Sequence, residues 1–374
     1  MSHSEVPPPP GVWGVPPWTG RNLAARDEQL AEISAALAKR GMAPLCGLGG
    51  AGKTMLALEY AHRNASAYDI VYMIAGDSTW SLLSGFSALA MELRVPDQEL
   101  VLDEATSSQT SGGSKTSSRQ PRVVTAVKNR LGRRGRWLLI FDGVLNAQLL
   151  DHYLPSVAQG GHVLMTSTNP IWRGLATVTV RGLSRAESVG FLLRRTGEID
   201  AEAADALAEK LGDLPLALAQ AGAYIEETGR PLAEYVNLFR QRPAALLERP
   251  QSFPVTVATA WESALAEVFQ NSTAADLLSL LSALPIEEVP RKLLASMYDP
   301  LVLDDAIAVL RVHSLVEVRP TGLFVHRLVK VIVHHQLRPE DQRRWKVAAD
   351  RILRTTGLRP SSVDPADSTE PDRK

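Results

Sequence analysis

Two patterns of apolar residues alternate between positions 27 and 183. Short continuous apolar runs at 42–46, 70–75, 137–141, 162–166 and 177–180 have strand length and lack polar alternation, the pattern of a sheet covered on both faces. Between them, apolar residues recur at helical spacing: Leu30, Ile33, Ala36 and Leu37 in the first stretch, then 54–64, 81–94, 122–132 and 184–196. Strands that alternate with helices require right-handed crossovers, so the pattern predicts an α/β domain with a parallel sheet. After 184 the strand pattern stops. Helical periodicity continues through Leu247, with Gly212 as a helix stop and 214–225 as the most apolar helix. Short helices from 255 then lead to a strand at 314–318, a turn at Pro320-Thr321-Gly322 and a strand at 323–326, an order that resembles a winged helix. No internal repeat of 20 to 50 residues is visible.

The domain map that follows is a flexible proline-rich arm at 1–20, an α/β domain at 21–183, a helical domain at 184–254, a winged-helix domain at 255–340, and a C-terminal helix with a disordered tail at 341–374. Within the α/β domain, 103–121 reads as a disordered insertion, because 107–118 is SSQTSGGSKTSS, too polar to offset its ordering entropy. The length, 374 residues, fits two or three domains. With 45% hydrophobic and 22% charged residues, chain-wide disorder, collagen and coiled coil are excluded. Forty basic residues against 41 acidic ones leave a net charge of -1, so no global field attracts nucleic acid or anionic membrane. The local cluster Arg130, Arg133, Arg134 and Arg136 reads as a solvated face. Cys46 is the sole cysteine, which excludes an intramolecular disulfide and zinc-finger spacing. With no apolar leader and no membrane-length apolar run, the expectation is a cytoplasmic protein.

The chemistry concentrates at Gly47-Leu48-Gly49-Gly50-Ala51-Gly52-Lys53-Thr54, which fits G-x-x-x-x-G-K-[ST] and lies between an apolar strand and a helix. Glycines let such a loop turn its peptide N–H groups toward phosphate oxygens, and the helix starting near Gly52 adds its positive end. Lys53 then spans the β- and γ-phosphates, while Thr54 offers a hydroxyl to Mg2+. A plain glycine-rich turn would not explain Lys-Thr at the helix start. The strand 137–142 ends in Asp142, placed to hold Mg2+ through water. Gly143 follows it, so the second acid that polarises an attacking water is missing there. Loss of a general base slows a reaction by about 10²- to 10⁴-fold.

These features occur in order with His162-Val163-Leu164-Met165-Thr166-Ser167-Thr168-Asn169, Leu211-Gly212-Asp213-Leu214-Pro215-Leu216-Ala217 and Val325-His326-Arg327-Leu328. Together they resemble the NB-ARC class of STAND signalling NTPases, and in particular bacterial members that carry tetratricopeptide repeats, over residues 20 to 340. The resemblance implies three domains closed around ADP at rest, which open and often oligomerise when ATP replaces it. It further implies that Arg26 approaches the nucleotide, with Gly20-Arg21 as the other register, and that Pro215 packs beside the base. His326 would reach the β-phosphate. Thr168 stands where the class carries a γ-phosphate-sensing arginine, and Arg327 where it often carries aspartate. A proline in a first helical turn also needs no ligand to explain it. His334 and His335 are adjacent, so they splay apart on a helix and make no metal site with His326.

The leading functional expectation is an ATP/ADP-dependent switch with slow hydrolysis and a Mg2+ cofactor. Moving such an equilibrium from 1:99 to 99:1 needs about 5.5 kcal/mol of differential binding. The alternatives are a DNA-associated ATPase of the AAA+ kind and a pseudo-ATPase scaffold that keeps ADP as a structural ligand. Glu287, Glu288, Asp299, Asp304 and Asp305 in the winged-helix stretch disfavour a DNA-binding face. The class usually carries an effector and a repeat sensor, so either the chain is a truncated core that lacks its tetratricopeptide-repeat region or its sensor and effector are separate proteins, and further copies of this chain are the other implied partner.

Overall fold

The computed structural model describes residues 11–17, 26–96, 121–145, 147–157, 160–172, 174–250, 255–295 and 297–356. Most of the arm, nearly all of the 103–121 insertion, the Gly20-Arg21 register and the tail beyond 356 lie outside the described residues. The chain divides into two compact units. The first is Met1–Gly47 with Gly52–Val180, and the second is Leu48–Ala51 with Arg181–Lys374.

The first unit is an α/β layer structure. Its strands are β1 (Val12–Gly14), β2 (Met42–Cys46), β3 (Ile70–Ala75), β4 (Trp137–Asp142), β5 (Gly161–Ser167) and β6 (Val178–Thr179). They form one sheet in the order β1-β3-β4-β5-β2-β6, and every pairing is parallel. Helices α1 (Asp27–Arg40), α2 (Lys53–Arg63), α3 (Thr79–Glu92), α4 (Arg122–Gly132) and α5 (Ala147–Leu150) cover it. Trp137, Leu139 and Phe141 of β4 pack with Leu82, Phe86 and Leu89 of α3 and Val124 and Val127 of α4. Leu138 and Ile140, which alternate to the other face of β4, are equally buried, and burial on both faces explains why the strand reads as an unbroken apolar run.

Two details depart from the sequence expectation. Val12–Gly14 is not part of a free arm: it pairs with Ile70–Tyr72 as the edge strand, where prolines can flank a strand without breaking its single ladder. Pro44 lies inside the central strand β2, usually a forbidden place. Gly41 O bonds toward β5 and Cys46 O toward β6, so by alternation Pro44 faces β6. That strand pairs only with Leu45 and Cys46, and the missing N–H falls where no partner strand runs.

The second unit is helical with one small sheet. Its helices are α6 (Arg185–Thr196), α7 (Ala201–Leu211), α8 (Pro215–Thr228), α9 (Leu232–Gln241), α10 (Pro243–Glu248), α11 (Val257–Phe269), α12 (Ser272–Ala283), α13 (Arg291–Leu294), α14 (Pro300–Val312), α15 (Arg327–Gln336) and α16 (Pro339–Thr356). Strands β7 (Glu288–Val289), β8 (Glu317–Val318) and β9 (Leu323–Phe324) form an antiparallel sheet in the order β7-β9-β8. The sequence pattern gave β8 and β9 at greater length and missed β7, whose two residues are too few to show a period. The boundary drawn at 254/255 falls inside this single compact unit.

α8 is buried almost all round, from Ala217 through Ile225, which accounts for its apolar composition. Its one buried polar side chain, Gln220, is fully used. Nε2 donates to the carbonyls of Leu246 (2.9 Å), Leu247 (3.2 Å) and Arg249 (3.1 Å), and Oε1 accepts from Val257 N–H at 3.1 Å. Gln220 thus fixes the end of α10 and the start of α11 against α8. Gln220→Ala would strand buried carbonyls and a buried N–H, and should lower unfolding free energy by about 3 kcal/mol in a urea titration. A loss below about 1 kcal/mol would mean that water replaces the carboxamide.

Candidate functional site

β2 ends at Cys46, and the chain turns through the glycine-rich loop into α2, whose first residue is Lys53. Gly47, Gly50 and Gly52 hold φ of 154°, 81° and 88°, conformations that L side chains rarely adopt. At Gly52 a Cβ would also stand 3.5 Å from the Arg26 guanidinium. Arg26 is 6% exposed and precedes α1, so of the two sequence registers it is the one with a described place against the loop.

Lys53 Nζ donates to Gly47 O at 2.8 Å. Burial pulls its ammonium down from the ordinary 10.5 to about 8, opposed by the nearby Cys46 and Asp142. Cys46 is itself pushed up to about 12 by burial and stays a neutral thiol at physiological pH. Beside the lysine, Thr54 Oγ1 and Thr166 Oγ1 both donate to Asp142 Oδ1 at 2.6 Å. The Gly143 N–H donates to Thr166 Oγ1 at 2.8 Å. The hydroxyl protons therefore point at the carboxylate and leave Thr54 oxygen lone pairs for a cation.

This donor set fits a nucleotide with Mg2+. Mg2+ takes one or two protein oxygens and completes its shell with water and phosphate. Among the described residues no cluster of three or more His, Cys, Asp or Glu could hold a metal alone. Lys53, Thr54, Asp142 and the loop N–H groups are the residues that would hold the pair.

The loop tip, Leu48–Ala51, belongs to the second unit. Ala51 N–H closes a turn on Leu48 O at 3.1 Å, and Leu216 N–H donates to Gly50 O at 3.2 Å. Pro215 occupies the first turn of α8 and has no N–H, so Leu216 supplies the next exposed donor of the helix. Trp261 of α11 donates its indole N–H to Gly49 O at 3.0 Å.

His326 sits differently from the sequence expectation. Its Nε2 lies 3.1 Å from Gly212 O, and Nδ1 accepts from Leu328 N–H at 3.2 Å. That pattern assigns the neutral Nε2–H tautomer, and burial lowers the pKa of the ring. Both ring nitrogens thus have partners within the second unit. Arg327 joins it, bonding Glu287 through Nε (2.8 Å) and Glu209 O through Nη1 (2.5 Å). The pair caps the C-terminal carbonyls of α7, where positive charge is favoured. Gly212, at φ 62°, leaves room for the imidazole.

The structure brings Lys53, Thr54 and Asp142 together and sets Arg26 near Gly52, and it adds Thr166, Trp261 and Gln220, which the sequence did not single out. Thr166 was within a quoted motif, at the end of the strand beside Asp142. Nothing local to Trp261 distinguishes it from a core aromatic. A cavity of about 730 Å3 lies elsewhere in the second unit, near Pro290, Pro300, Pro320 and Leu323.

Comparison with known proteins agrees with this geometry. No protein-family model matches the chain. A nucleotide-binding leucine-rich repeat (NLR)-like protein of Hyaloscypha variabilis is 25% identical over 87% of this chain, which spans only 36% of that relative's length. Among solved structures, the Walker-type ATPase PABY2304 of Pyrococcus abyssi superposes with a TM-score of 0.55 at 13% identity, covering 85% of this chain and 98% of that one. A STAND protein with a tetratricopeptide repeat sensor from Pyrococcus horikoshii, PH0952, gives a TM-score of 0.37 at 17% identity over 90% and 46% of the two chains. Only the first of these structures superposes closely enough to bear on the fold. Fold and loop together define an α/β domain of the P-loop nucleotide-binding type. The order of its motifs resembles that of the NB-ARC/STAND NTPases, and the chain is similar to part of one NLR-like protein.

The depressed Lys53 has a pH consequence. The folded state holds fewer protons than the unfolded one between pH 8 and 10.5, so stability of the nucleotide-free protein gains from this group as pH rises through that window. Phosphate requires the charged ammonium, so nucleotide binding above pH 8 should take up a proton. Calorimetry in buffers of differing ionisation enthalpy should register that uptake in wild type and none in Lys53→Met.

Proposed function

We propose that this chain is the nucleotide-controlled core of a STAND switch. ADP holds a closed resting state, ATP favours an open state that can oligomerise, and slow hydrolysis of the β–γ bond resets it. The observation that carries this reading is the Asp142 site. Asp142 receives both threonine hydroxyls and is followed by Gly143, so the strand end is equipped to hold Mg2+ but offers no adjacent carboxylate to polarise water. Thr168 in place of arginine points the same way. Binding machinery without this part of the hydrolytic machinery suits a device whose output is occupancy rather than turnover.

In this reading Lys53 neutralises the β- and γ-phosphates, and Gly47, Gly49, Gly50, Ala51 and Gly52 present the loop that receives them. Arg26 adds charge near the loop, and Pro215 sets the start of the helix that meets it. The region 255–340 acts as a winged helix, with β7, β8 and β9 as its sheet. DNA is disfavoured as a partner there: Arg319 pairs with Glu317 and Glu288, Arg327 with Glu287, and Arg291 with Asp304. No described helix is long and apolar enough to cross a membrane, and a cytoplasmic setting with a protein sensor or effector fits the proposed role.

Denaturing the purified protein and separating released nucleotide by chromatography tests the reading. Stoichiometric ADP that ATP displaces is expected, with none from Lys53→Ala. ADP that never exchanges would favour a scaffold, and an empty protein that binds neither nucleotide would sink the proposal. His326→Ala should weaken ADP more than ATP. Equal changes for both would leave His326 as a cap of α7 with no role in nucleotide choice.

A further inference from the structure

We propose that Trp261 is a positioning residue for the phosphate loop. It acts through the Gly49–Gly50 peptide and carries the state of the loop into α11. This inference deepens the nucleotide-switch reading and rests on it.

The geometry begins with the peptide plane. In a trans peptide the C=O and the next N–H point in opposite directions. The indole bond to Gly49 O at 3.0 Å therefore fixes where Gly50 N–H points, on the side of the loop away from the indole. A carbonyl that accepts a hydrogen bond also polarises its own amide, which makes that N–H a stronger donor. The bond to Gly50 O from Leu216 N–H at 3.2 Å orients the following peptide in the same way. Two successive peptides of the tip are thus held by their carbonyls.

The indole is built for this place. Trp261 is 1% exposed, so its N–H has no solvent alternative. A Cβ at Gly49 would stand 2.7 Å from Trp261 Cδ1, and a Cβ at Gly50 would stand 2.9 Å from Leu216 Cβ. The absence of side chains at both positions is what lets α11 and α8 reach the backbone. The ring also meets His326 edge-on, with centroids 6.4 Å apart. Gln220, which bonds the first N–H of α11, fixes the helix four residues before the indole. A loop that shifts when phosphate enters must therefore stretch or reorient the indole bond, and the ring lies against the histidine that caps α7.

The test is Trp261→Phe, which keeps an aromatic ring and removes the N–H. Loss of one buried neutral hydrogen bond should weaken ADP about fivefold. Tryptophan 15N-labelled at the indole gives one N–H signal for each of the seven tryptophans. The signal absent from Trp261→Phe should move, and exchange more slowly with solvent, when ADP and Mg2+ are added to wild type. If the variant fails to fold, hydrogen exchange of residues 257–269 in the wild-type chain replaces it, with greater protection expected when ADP is bound. An unmoved indole signal, unchanged protection, or ADP affinity within twofold of wild type in the variant overturns the assignment of Trp261. Wild type that binds no nucleotide overturns this inference and the switch reading together, whereas binding that Lys53→Ala abolishes while Trp261 stays silent overturns the inference alone.

Discussion

A glycine-rich loop between a strand and a helix has no ladder partner, so each of its carbonyls must find a donor elsewhere. That constraint organises much of this molecule. Gly47 O takes Lys53 Nζ, Leu48 O takes the Ala51 N–H, Gly50 O the Leu216 N–H and Gly52 O the Leu56 N–H, and Gly49 O takes the Trp261 indole. The donors come from the loop itself, from the helix it starts, and from two helices far along the chain.

The same economy of donors governs the strand end beside it. Asp142 is stabilised by two hydroxyls that converge on one oxygen, and one of those hydroxyls is held in turn by the Gly143 N–H. In a low-dielectric setting such chains reinforce one another and fix the carboxylate in place. Lys53, whose ammonium is pulled down by burial and favoured by the nearby Asp142, lies in the same region.

Much of this was legible in the sequence, for reasons that differ by element. The strands 42–46 and 70–75 and the helix 122–132 carry their own period and end where the structure ends them. Lys53, Thr54 and Asp142 are legible because a phosphate loop fixes residue type and spacing along one short stretch. β1 was hidden because three residues among prolines show no period, and the contact that makes them a strand comes from Ile70–Tyr72. Trp261 and Gln220 were hidden for a related reason: their partners lie 212 and between 26 and 37 positions away, and nothing in the local pattern separates such residues from ordinary core. His326 was legible as a position, but its partners, Gly212 and Leu328, belong to a cap that only tertiary structure reveals.

Gly143 holds φ 76°, and nothing lies within 4 Å of where its Cβ would be. What keeps a second carboxylate away from the strand end is therefore the hand of the backbone and not a lack of room. A side chain in that left-handed conformation costs about 1–2 kcal/mol, and aspartate and asparagine bear it better than most residues. An aspartate at 143 would thus fit the strand end at a modest penalty in stability. The Thr166 bond to the Gly143 N–H holds that conformation in place, so what the strand end can carry is written into the backbone as much as into its side chains.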